Sequence, residues 1–407
     1  MATKQDVTFT YKDFSDRKRK NLAILECIRR KCPISRTDIG KETGINIVSV
    51  SNYILNYIKN NLVIECGLDI SSGGRRPELV KLNLENAYVV GVDIGPEKIV
   101  IVATDLGLNI KAKKVLPRPH GSMEDVLKNT VTSLESVLKE FDIIASRIKL
   151  IGIGASGVVD IFSGTVHDTD PERGRTKSTF LTLAKILREK FKTTTLIGND
   201  ATCAAFGELS LSPRTDISEM LYIYSDIGCG IIINGDIYCG TSGSAGEIQL
   251  LIDKENEMSR VLEVASYSVK GADLGVVQEA KKLVDEGDAV GILRLAGNDK
   301  DKITKDIAIR AAQEGDQVAK KLLQEAAQWL GVKVAYLINI FNPQLVVIGG
   351  GMEKAGDLFM DALIDCIKIY AFEEAFNTVK ITPSFLGEDA IALGAAALSV
   401  RELFITA

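Results

Sequence analysis

The chain has 407 residues, of which 46% are hydrophobic and 25% are charged, and its formal net charge is −5. This composition is that of an ordinary soluble globular protein, and the length predicts two to four domains. There is no signal peptide and no apolar run of about eighteen residues, which favours a cytoplasmic protein without a membrane segment. Seven scattered cysteines without a CxxC pair, and only two histidines, argue against a disulfide framework, a His-rich metal centre and Ser-His-Asp catalysis.

The charge is unevenly distributed along the chain. Residues 1–80 contain 14 Lys and Arg against 9 Asp and Glu, a net charge of +5, and the remaining 35 basic and 45 acidic residues give −10. A small basic segment ahead of a large acidic body predicts an anionic partner for the first segment alone.

Three amphipathic helices are predicted at the start of the chain, over about residues 17–31, 36–43 and 47–60. Ser35 and Asn46 are suited to cap the second and third helices, because their side-chain oxygens can accept hydrogen bonds from the first helical turn. Gly44 lies between these two helices, where a left-handed residue would end the second helix. The pattern predicts two helices joined by a tight turn.

A β-hairpin is predicted after the third helix, with strands at about 63–68 and 78–83 and the sequence Gly-Gly-Arg-Arg-Pro near its tip. This order of elements is typical of a winged helix-turn-helix domain, which we assign to residues 1–85. The third helix would enter the major groove of a double-stranded DNA operator, and the loop arginines would enter a narrow A·T-rich minor groove. The alternative is a helical protein-interaction domain with a solvated basic loop. The predicted DNA-binding residues are Ser35, Arg36, Ile47, Ser49, Ser51, Asn52, Asn56, Arg75 and Arg76.

From about residue 86 strands alternate with helices, which predicts an α/β fold, and the length of this part favours two lobes. The first three strands, at about 88–94, 99–104 and 109–115, form a predicted meander. The predicted lobes are residues 86–200 together with 390–407, and residues 201–389.

The segment 225–250 combines a tight turn at Asn234-Gly235 with a Gly- and Ser-rich loop that carries one carboxylate, Glu247. Glycine-spaced hairpins often surround phosphate, because backbone N–H groups can approach an anion closely where there is no Cβ. Here Ser225 and Asp226 stand where such a hairpin would have glycine, and a carboxylate repels phosphate. Whether this segment can bind phosphate therefore distinguishes an enzyme from a sensor.

Motifs spread over residues 20–400 resemble the ROK family of sugar kinases and sugar-responsive repressors. The resemblance is greatest to the branch with an N-terminal winged helix, which represses xylose and N-acetylglucosamine operons. It implies a two-lobed actin-like ATPase (ribonuclease H-like) fold and a homodimer or tetramer. The motifs are Asp93-Ile94-Gly95, Gly198-Asn199-Asp200, Ala245-Gly246-Glu247-Ile248, Asn342-Pro343, Ile348-Gly349-Gly350-Gly351 and Gly387-Glu388-Asp389-Ala390.

Both phosphate loops implied by the resemblance are altered. The first, Asp-x-Gly-Gly-Thr-Lys in the kinases, has Pro96 and Glu97 in this chain, and proline removes a backbone donor. The second, Gly-Thr-Gly-Ile-Gly in the kinases, is matched by residues 224–228, which include Asp226. We therefore expect no ATP binding and no catalytic residue. The alternative is a ROK sugar kinase that uses ATP, with Asp200 as the catalytic base.

The same resemblance implies that Asn199, Asp200, Glu247 and Glu263 bind a sugar or sugar derivative. A carboxylate beside an amide can accept from and donate to neighbouring hydroxyls. The structural alternatives are a helix cap for Asp200 and solvated or ion-paired carboxylates for Glu247 and Glu263. The zinc segment of the family is lost, because Leu250 stands where the family has histidine and residues 251–261 lack cysteine, so we expect neither a metal nor another cofactor.

These observations predict a sugar-responsive DNA-binding transcriptional regulator, most often a repressor in this branch. The sugar would bind between the two lobes and change the spacing of the DNA-binding heads in a dimer. A further alternative is a regulator that responds to another protein instead of a sugar.

Overall fold

The described chain forms two compact units, one of residues 1–203 with 391–407 and one of residues 204–390. The computed structural model describes residues 8–9, 15–68, 77–85, 87–95, 97–119, 123–159, 166–167, 180–213, 216–225, 228–248 and 273–407. The division into a head and two lobes stays a prediction. The predicted site and motif residues outside the described ranges are Arg75, Arg76, Pro96, Asp226, Leu250, 251–261 and Glu263.

The described elements alternate between strands and helices, which confirms the predicted α/β class. No helix in the described part of the chain is both long and apolar enough to cross a membrane. The helices are α1 Asp16–Lys31, α2 Arg36–Thr43, α3 Ile47–Lys59, α4 Met123–Glu140, α5 Phe180–Phe191, α6 Asp200–Leu211, α7 Val276–Glu286, α8 Val290–Leu295, α9 Lys305–Gln313, α10 Gln317–Phe341, α11 Asp357–Tyr370, α12 Glu373–Thr378 and α13 Ala390–Thr406. The strands are β1 Ile34–Ser35, β2 Val63–Leu68, β3 Glu78–Leu82, β4 Tyr88–Ile94, β5 Lys98–Asp105, β6 Ile110–Pro117, β7 Ile148–Ala155, β8 Val158–Val159, β9 Val166–His167, β10 Thr194–Asn199, β11 Met220–Tyr224, β12 Gly228–Ile233, β13 Asp236–Ile237, β14 Leu345–Gly349 and β15 Lys380–Pro383.

The first three helices pack beside a three-stranded sheet of order β1-β3-β2. The predicted caps are present: the Ser35 hydroxyl accepts from the backbone N–H of Asp38 at 3.1 Å, and the Asn46 side chain accepts from Ser49 at 2.9 Å. Gly44 ends α2 in the left-handed conformation, with φ 68°. The predicted bounds of α2 are confirmed to the residue, because Ser35 and Gly44 determine where this helix begins and ends.

Helix α1 contacts the C-terminal end of α13 within the first unit. The Asn21 amide donates to the backbone oxygen of Ala407 at 2.7 Å, and the Tyr57 hydroxyl donates to Asn21 Oδ1 at 2.7 Å. Asn21 on α1 therefore connects α3 to the end of α13. The Arg147 guanidinium also donates to the Glu85 carbonyl at 3.3 Å.

The sheet of the first unit has the order β10-β7-β4-β5-β6. Strands β4, β7 and β10 are parallel, and β4, β5 and β6 form the predicted antiparallel meander. Side chains alternate between the two faces of a strand. Val90, Val92 and Ile94 pack into a core with α4 and α5, and Gly91 faces α13.

Glycines in the sheet allow α13 to pack directly against the strand backbone. A Cβ on Gly91 would lie 1.9 Å from the Ala392 carbonyl oxygen, and one on Gly152 would lie 2.4 Å from that of Ala395. Because no side chain fits in either gap, the sequence of β4 and β7 fixes the distance between the sheet and α13.

The sheet of the second unit has the order β13-β12-β11-β14-β15. Its Leu221, Ile223 and Ile231 pack with helices α7 to α11 into one apolar core. The tight turn between β12 and β13 is confirmed, with Asn234 at φ 54° and Gly235 at φ 72°. Such left-handed residues match the twist of a two-residue hairpin.

Candidate functional site

Two carboxylates meet at the carboxyl end of the parallel strands in the first unit. Asp93 pairs with Gly154 of β7, and Gly154 pairs with Gly198 of β10, so one strand separates Asp93 from the Asn199-Asp200 corner. Two strand spacings correspond to about 10 Å between backbones, which side chains can bridge. Ligands of open α/β sheets bind beyond this edge of the strands.

Both carboxylates are buried, and burial disfavours their charged forms. Burial raises the pKa of Asp200 to about 6, although the backbone N–H of Ala201, at 2.7 Å, and the Ser156 side chain stabilise the anion. Burial raises the pKa of Asp93 well above its usual range, and the charge of Asp200 raises it further, against the opposing effect of Lys98. The pair therefore favours retention of a proton near neutral pH.

One atom of this pair needs a partner. Asp93 Oδ1 is buried and finds no hydrogen-bond partner among the described residues. A buried polar atom without a partner is destabilising by about 1–3 kcal/mol. A hydroxyl or a proton at this point would satisfy it.

Asn199 has a structural task in addition to any ligand contact. Its Nδ2 donates to the Gly157 carbonyl at 3.1 Å, and its Oδ1 accepts from the Thr202 N–H at 3.0 Å. The side chain thereby connects the loop after β7 to the first turn of α6. A further side-chain hydrogen bond from Asn199 stabilises the Asp200 carboxylate, so the amide is largely satisfied within the protein.

Glu247, in the second unit, lies in a loop that is fixed against β12. The Cys229 N–H donates to the Gly246 carbonyl at 2.8 Å, and a Cβ on Gly246 would lie 1.8 Å from the Cys229 oxygen. The glycine is therefore required there, and its φ of 93° is one that glycine adopts readily. Glu247 is half-buried beside this anchor.

Three backbone N–H groups in or beside the glycine-containing turns donate hydrogen bonds to acceptors within the protein. The Gly95 N–H donates to the Lys98 carbonyl at 3.0 Å, and the Ser225 N–H donates to the Gly349 carbonyl at 3.2 Å. The Gly351 N–H donates to the carboxylate of Glu353 at 2.7 Å. All three backbone N–H groups therefore have acceptors within the protein.

The Glu353 carboxylate accepts a hydrogen bond from the glycine turn 349–351, which follows β14. Burial raises its pKa, and the N–H groups of Glu353 and Gly351 oppose that shift. The Lys305 ammonium donates to the Gly350 carbonyl at 3.0 Å and stabilises the carboxylate by its charge. The turn therefore contains its own anion.

The exposed face of α3 is only partly the one predicted. Val50, Ile54 and Tyr57 are fully buried, which leaves the opposite side of the helix in solvent. Asn52 is exposed, as are Ile47 and two residues that sequence reasoning omitted, Val48 and Leu55. Ser49, Ser51 and Asn56 lie on the flanks and are half-buried.

Two predicted DNA contacts are engaged within the head. The Ser35 hydroxyl is buried, caps α2 and donates to Asp38 at 2.7 Å. The Arg36 guanidinium donates to Glu65 at 2.9 Å and to Glu78 at 3.3 Å. Both side chains stabilise the junction of α2 with the hairpin, and their contact with DNA stays a prediction.

The described residues contain no group of three or more His, Cys, Asp and Glu side chains that could hold a metal ion. Because the segment 251–261 and Glu263 lie outside those residues, the expected loss of zinc stays a prediction.

A family model described as the ROK family matches residues 89–256 and 288–402. The chain belongs to the ROK family. The xylose repressor of Caldicellulosiruptor bescii is 30% identical to this ROK protein over 386 residues, which cover 94% of this chain and 95% of the relative. The N-acetylglucosamine repressor of Escherichia coli O157:H7 is 24% identical over 384 residues, which cover 94% of this chain and 92% of the relative.

Solved structures of ROK proteins share the fold. A ROK family transcriptional regulator, a homologue of the E. coli MLC protein, superposes with a TM-score of 0.74 at 20% identity over 96% of this chain and 98% of that one. A Streptomyces griseus ROK glucokinase with glucose and AMPPNP gives 0.63 at 23% identity over 77% of this chain and 99% of that one. The fold is therefore common to ROK regulators and ROK kinases.

Sequence reasoning missed three kinds of site residue. Asp93 was recognised only as part of a motif, although a carboxylate at the end of an apolar strand signals a functional position. Val48 and Leu55 were missed because apolar residues on an amphipathic helix are expected to face inward. The role of Glu353 had no signal beyond its position two residues after a glycine turn.

Proposed function

We propose that this ROK protein is a sugar-responsive, DNA-binding transcriptional regulator, and a repressor of carbohydrate genes. The observation that carries the proposal is the full-length match to relatives that are repressors by name, which includes the basic head. The head has the three helices and the sheet that a winged helix-turn-helix requires, with α3 as the reading helix. The other two domains would form an actin-like ATPase fold.

The chemistry of the carboxylate pair suits a polyol effector. At neutral pH a pair that keeps one proton can both donate to and accept from hydroxyls, whereas two full charges would repel each other. Asp93 Oδ1 lacks a partner among the described residues, so a bound hydroxyl would relieve the cost of its burial. Sugar binding would therefore involve Asp93 and Asp200, with Asn199 orienting the loop after β7.

The first unit contains a physical connection from this site to the reading helix. Ile391, at the start of α13, packs against Gly154 of β7, beside the carboxylate pair. A Cβ on Gly154 would lie 2.4 Å from the Ile391 side chain. The end of the same helix accepts the hydrogen bond from Asn21, which accepts from Tyr57 on α3. A shift of α13 when sugar binds would thus reach the reading helix.

The proposed loss of ATP binding is supported by backbone N–H groups of the glycine turns that already donate to acceptors within the protein. The N–H groups of Gly95, Ser225 and Gly351 all have acceptors inside the protein. A nucleotide phosphate would have to displace these contacts, including the internal carboxylate of Glu353. We therefore propose that the kinase-like domain binds sugar without transferring phosphate.

The test is a pair of binding measurements with the full chain. Purified protein should retard DNA from its own upstream region, and a sugar such as xylose or N-acetylglucosamine should change that affinity. Asp200→Ala should bind the same DNA and lose the response to sugar. Failure to bind its upstream region and any A·T-rich palindrome would contradict the regulator function.

A second candidate is a ROK sugar kinase with Asp200 as the base. A pKa near 6 suits a group that accepts a proton from a sugar hydroxyl, and that observation favours it. Coupled ATP-consumption assays across hexoses, amino sugars and pentoses separate the two functions. Turnover that Asp200→Asn abolishes would establish the kinase.

A further inference from the structure

The centre of the exposed face of α3 is apolar. Val48 is 68% exposed, Leu55 is 59% exposed and Ile47 is 48% exposed. Residues four and seven positions apart share one face of a helix, so Val48, Asn52 and Leu55 form a single stripe. This stripe lies opposite the buried Val50, Ile54 and Tyr57, so the head's own core leaves it uncovered.

The stripe is suited to a partner and not only to solvent. Three large apolar side chains exposed on one helix of thirteen residues are more than the single exposed residues that need no explanation. Helix α3 carries no acidic residue, and its one basic residue, Lys59, is at its C-terminal end. The surrounding segment 1–80 has a net charge of +5, which favours a polyanion as the partner.

We propose that Val48 and Leu55 contact thymine methyl groups in the major groove, which makes this stripe the sequence-reading surface. The inference rests on the proposed DNA-binding function and names what that surface reads. The thymine methyl is the apolar group on the major-groove edges of the standard bases, and Asn pairs with the N6 and N7 positions of adenine. Asn52, between the two apolar residues, therefore completes a reader of A·T pairs.

The helix geometry predicts the spacing of the contacted bases. Seven residues advance about 10.5 Å along a helix. With base pairs about 3.4 Å apart, Val48 and Leu55 would contact methyl groups about three base steps apart. The adenine contacted by Asn52 would lie between them.

The experiment removes single methyl groups from the DNA. Duplexes bound by the full chain are selected from a randomised pool, and each thymine of the selected site is then replaced by deoxyuridine. This change affects only the major groove, because the two bases differ only at C5. We expect the affinity to fall roughly fourfold at each contacted position. This factor corresponds to the free energy of burying one methyl group.

Two variants assign the contacts. Val48→Ala should remove the difference between thymine and deoxyuridine at one position, and Leu55→Ala at the other. Val290→Ala is the matched control, because Val290 is 67% exposed but lies in the second unit. It should leave both differences intact.

The outcomes separate this inference from the function on which it rests. Specific DNA binding with equal affinity for thymine and deoxyuridine at every position would overturn the inference and leave the regulator standing. Selection of no specific sequence would overturn both. A Val48→Ala protein that sediments as a smaller species without any loss of discrimination would show that the stripe pairs copies of the chain, which also overturns the inference.

Discussion

Replacing Asp200 with asparagine tests the buried carboxylate pair, because the change removes a charge with little change in shape. In an unfolded chain the pKa of an aspartate is near 3.8, and in the folded protein burial raises that of Asp200 to about 6. A difference of about two units corresponds to about 3 kcal/mol of stability lost when the folded group ionises. Asp200→Asn is therefore expected to raise the free energy of unfolding by up to about 3 kcal/mol at pH 8.

The pH dependence distinguishes this effect from ordinary repacking. Near pH 3 the carboxyl is protonated in both states, so the variant and the wild type differ little from this cause. Between pH 4 and 6 the unfolded state releases its proton while the folded state keeps it, so wild-type stability falls relative to the variant. Above pH 6 the gap is constant. The Asp200 charge also raises the pKa of Asp93, so its removal acts in the same direction.

The assay is urea unfolding at half-unit steps from pH 4 to pH 8. Asp361→Asn is the control for removing a carboxylate, because Asp361 is exposed on α11 and lies outside the buried pair. A gap that is independent of pH, or one that widens as the pH falls, would refute the assignment of a buried, proton-retaining pair.

Two further substitutions test how the first unit is held together. Asn21→Leu leaves the buried Tyr57 hydroxyl without its acceptor and should lower the free energy of unfolding by about 1–3 kcal/mol. Adding Tyr57→Phe should restore part of the lost stability. A double variant with no recovery would argue against the hydrogen bond. In DNA-binding assays Asn21→Leu should weaken operator affinity while sugar affinity is kept. Gly91→Ala places a Cβ 1.9 Å from the Ala392 carbonyl and should destabilise the protein by about 1–3 kcal/mol or more, as measured by urea unfolding; a neutral effect would mean that α13 does not pack on β4.

Local signals in the sequence predicted the ends of the first helices well. Ser35, Asn46 and Gly44 act on the residues next to them, so they fix the ends of α2 and α3 without knowledge of the rest of the fold. The Asn234-Gly235 turn was predictable for the same reason. The alternation of strands and helices gave the α/β class, because the two periodicities differ.

Properties that depend on contacts far apart in sequence were not predictable. The ion pairs of Arg36 with Glu65 and Glu78 form only when the hairpin folds back on α2, so the sequence around Arg36 does not reveal them. The burial of Asp93 depends on neighbouring strands, and its raised pKa depends also on the charge of Asp200, about a hundred residues later. A sequence pattern identifies the motif but not the environment that sets its pKa.

The most direct test of the account is whether sugar and DNA binding are coupled. Operator affinity is measured by fluorescence anisotropy with and without a saturating sugar, and sugar affinity is measured by calorimetry with and without operator. We predict that both affinities change by the same factor, because coupling between two sites is reciprocal. A sugar that binds the protein and leaves its operator affinity unchanged would contradict the account.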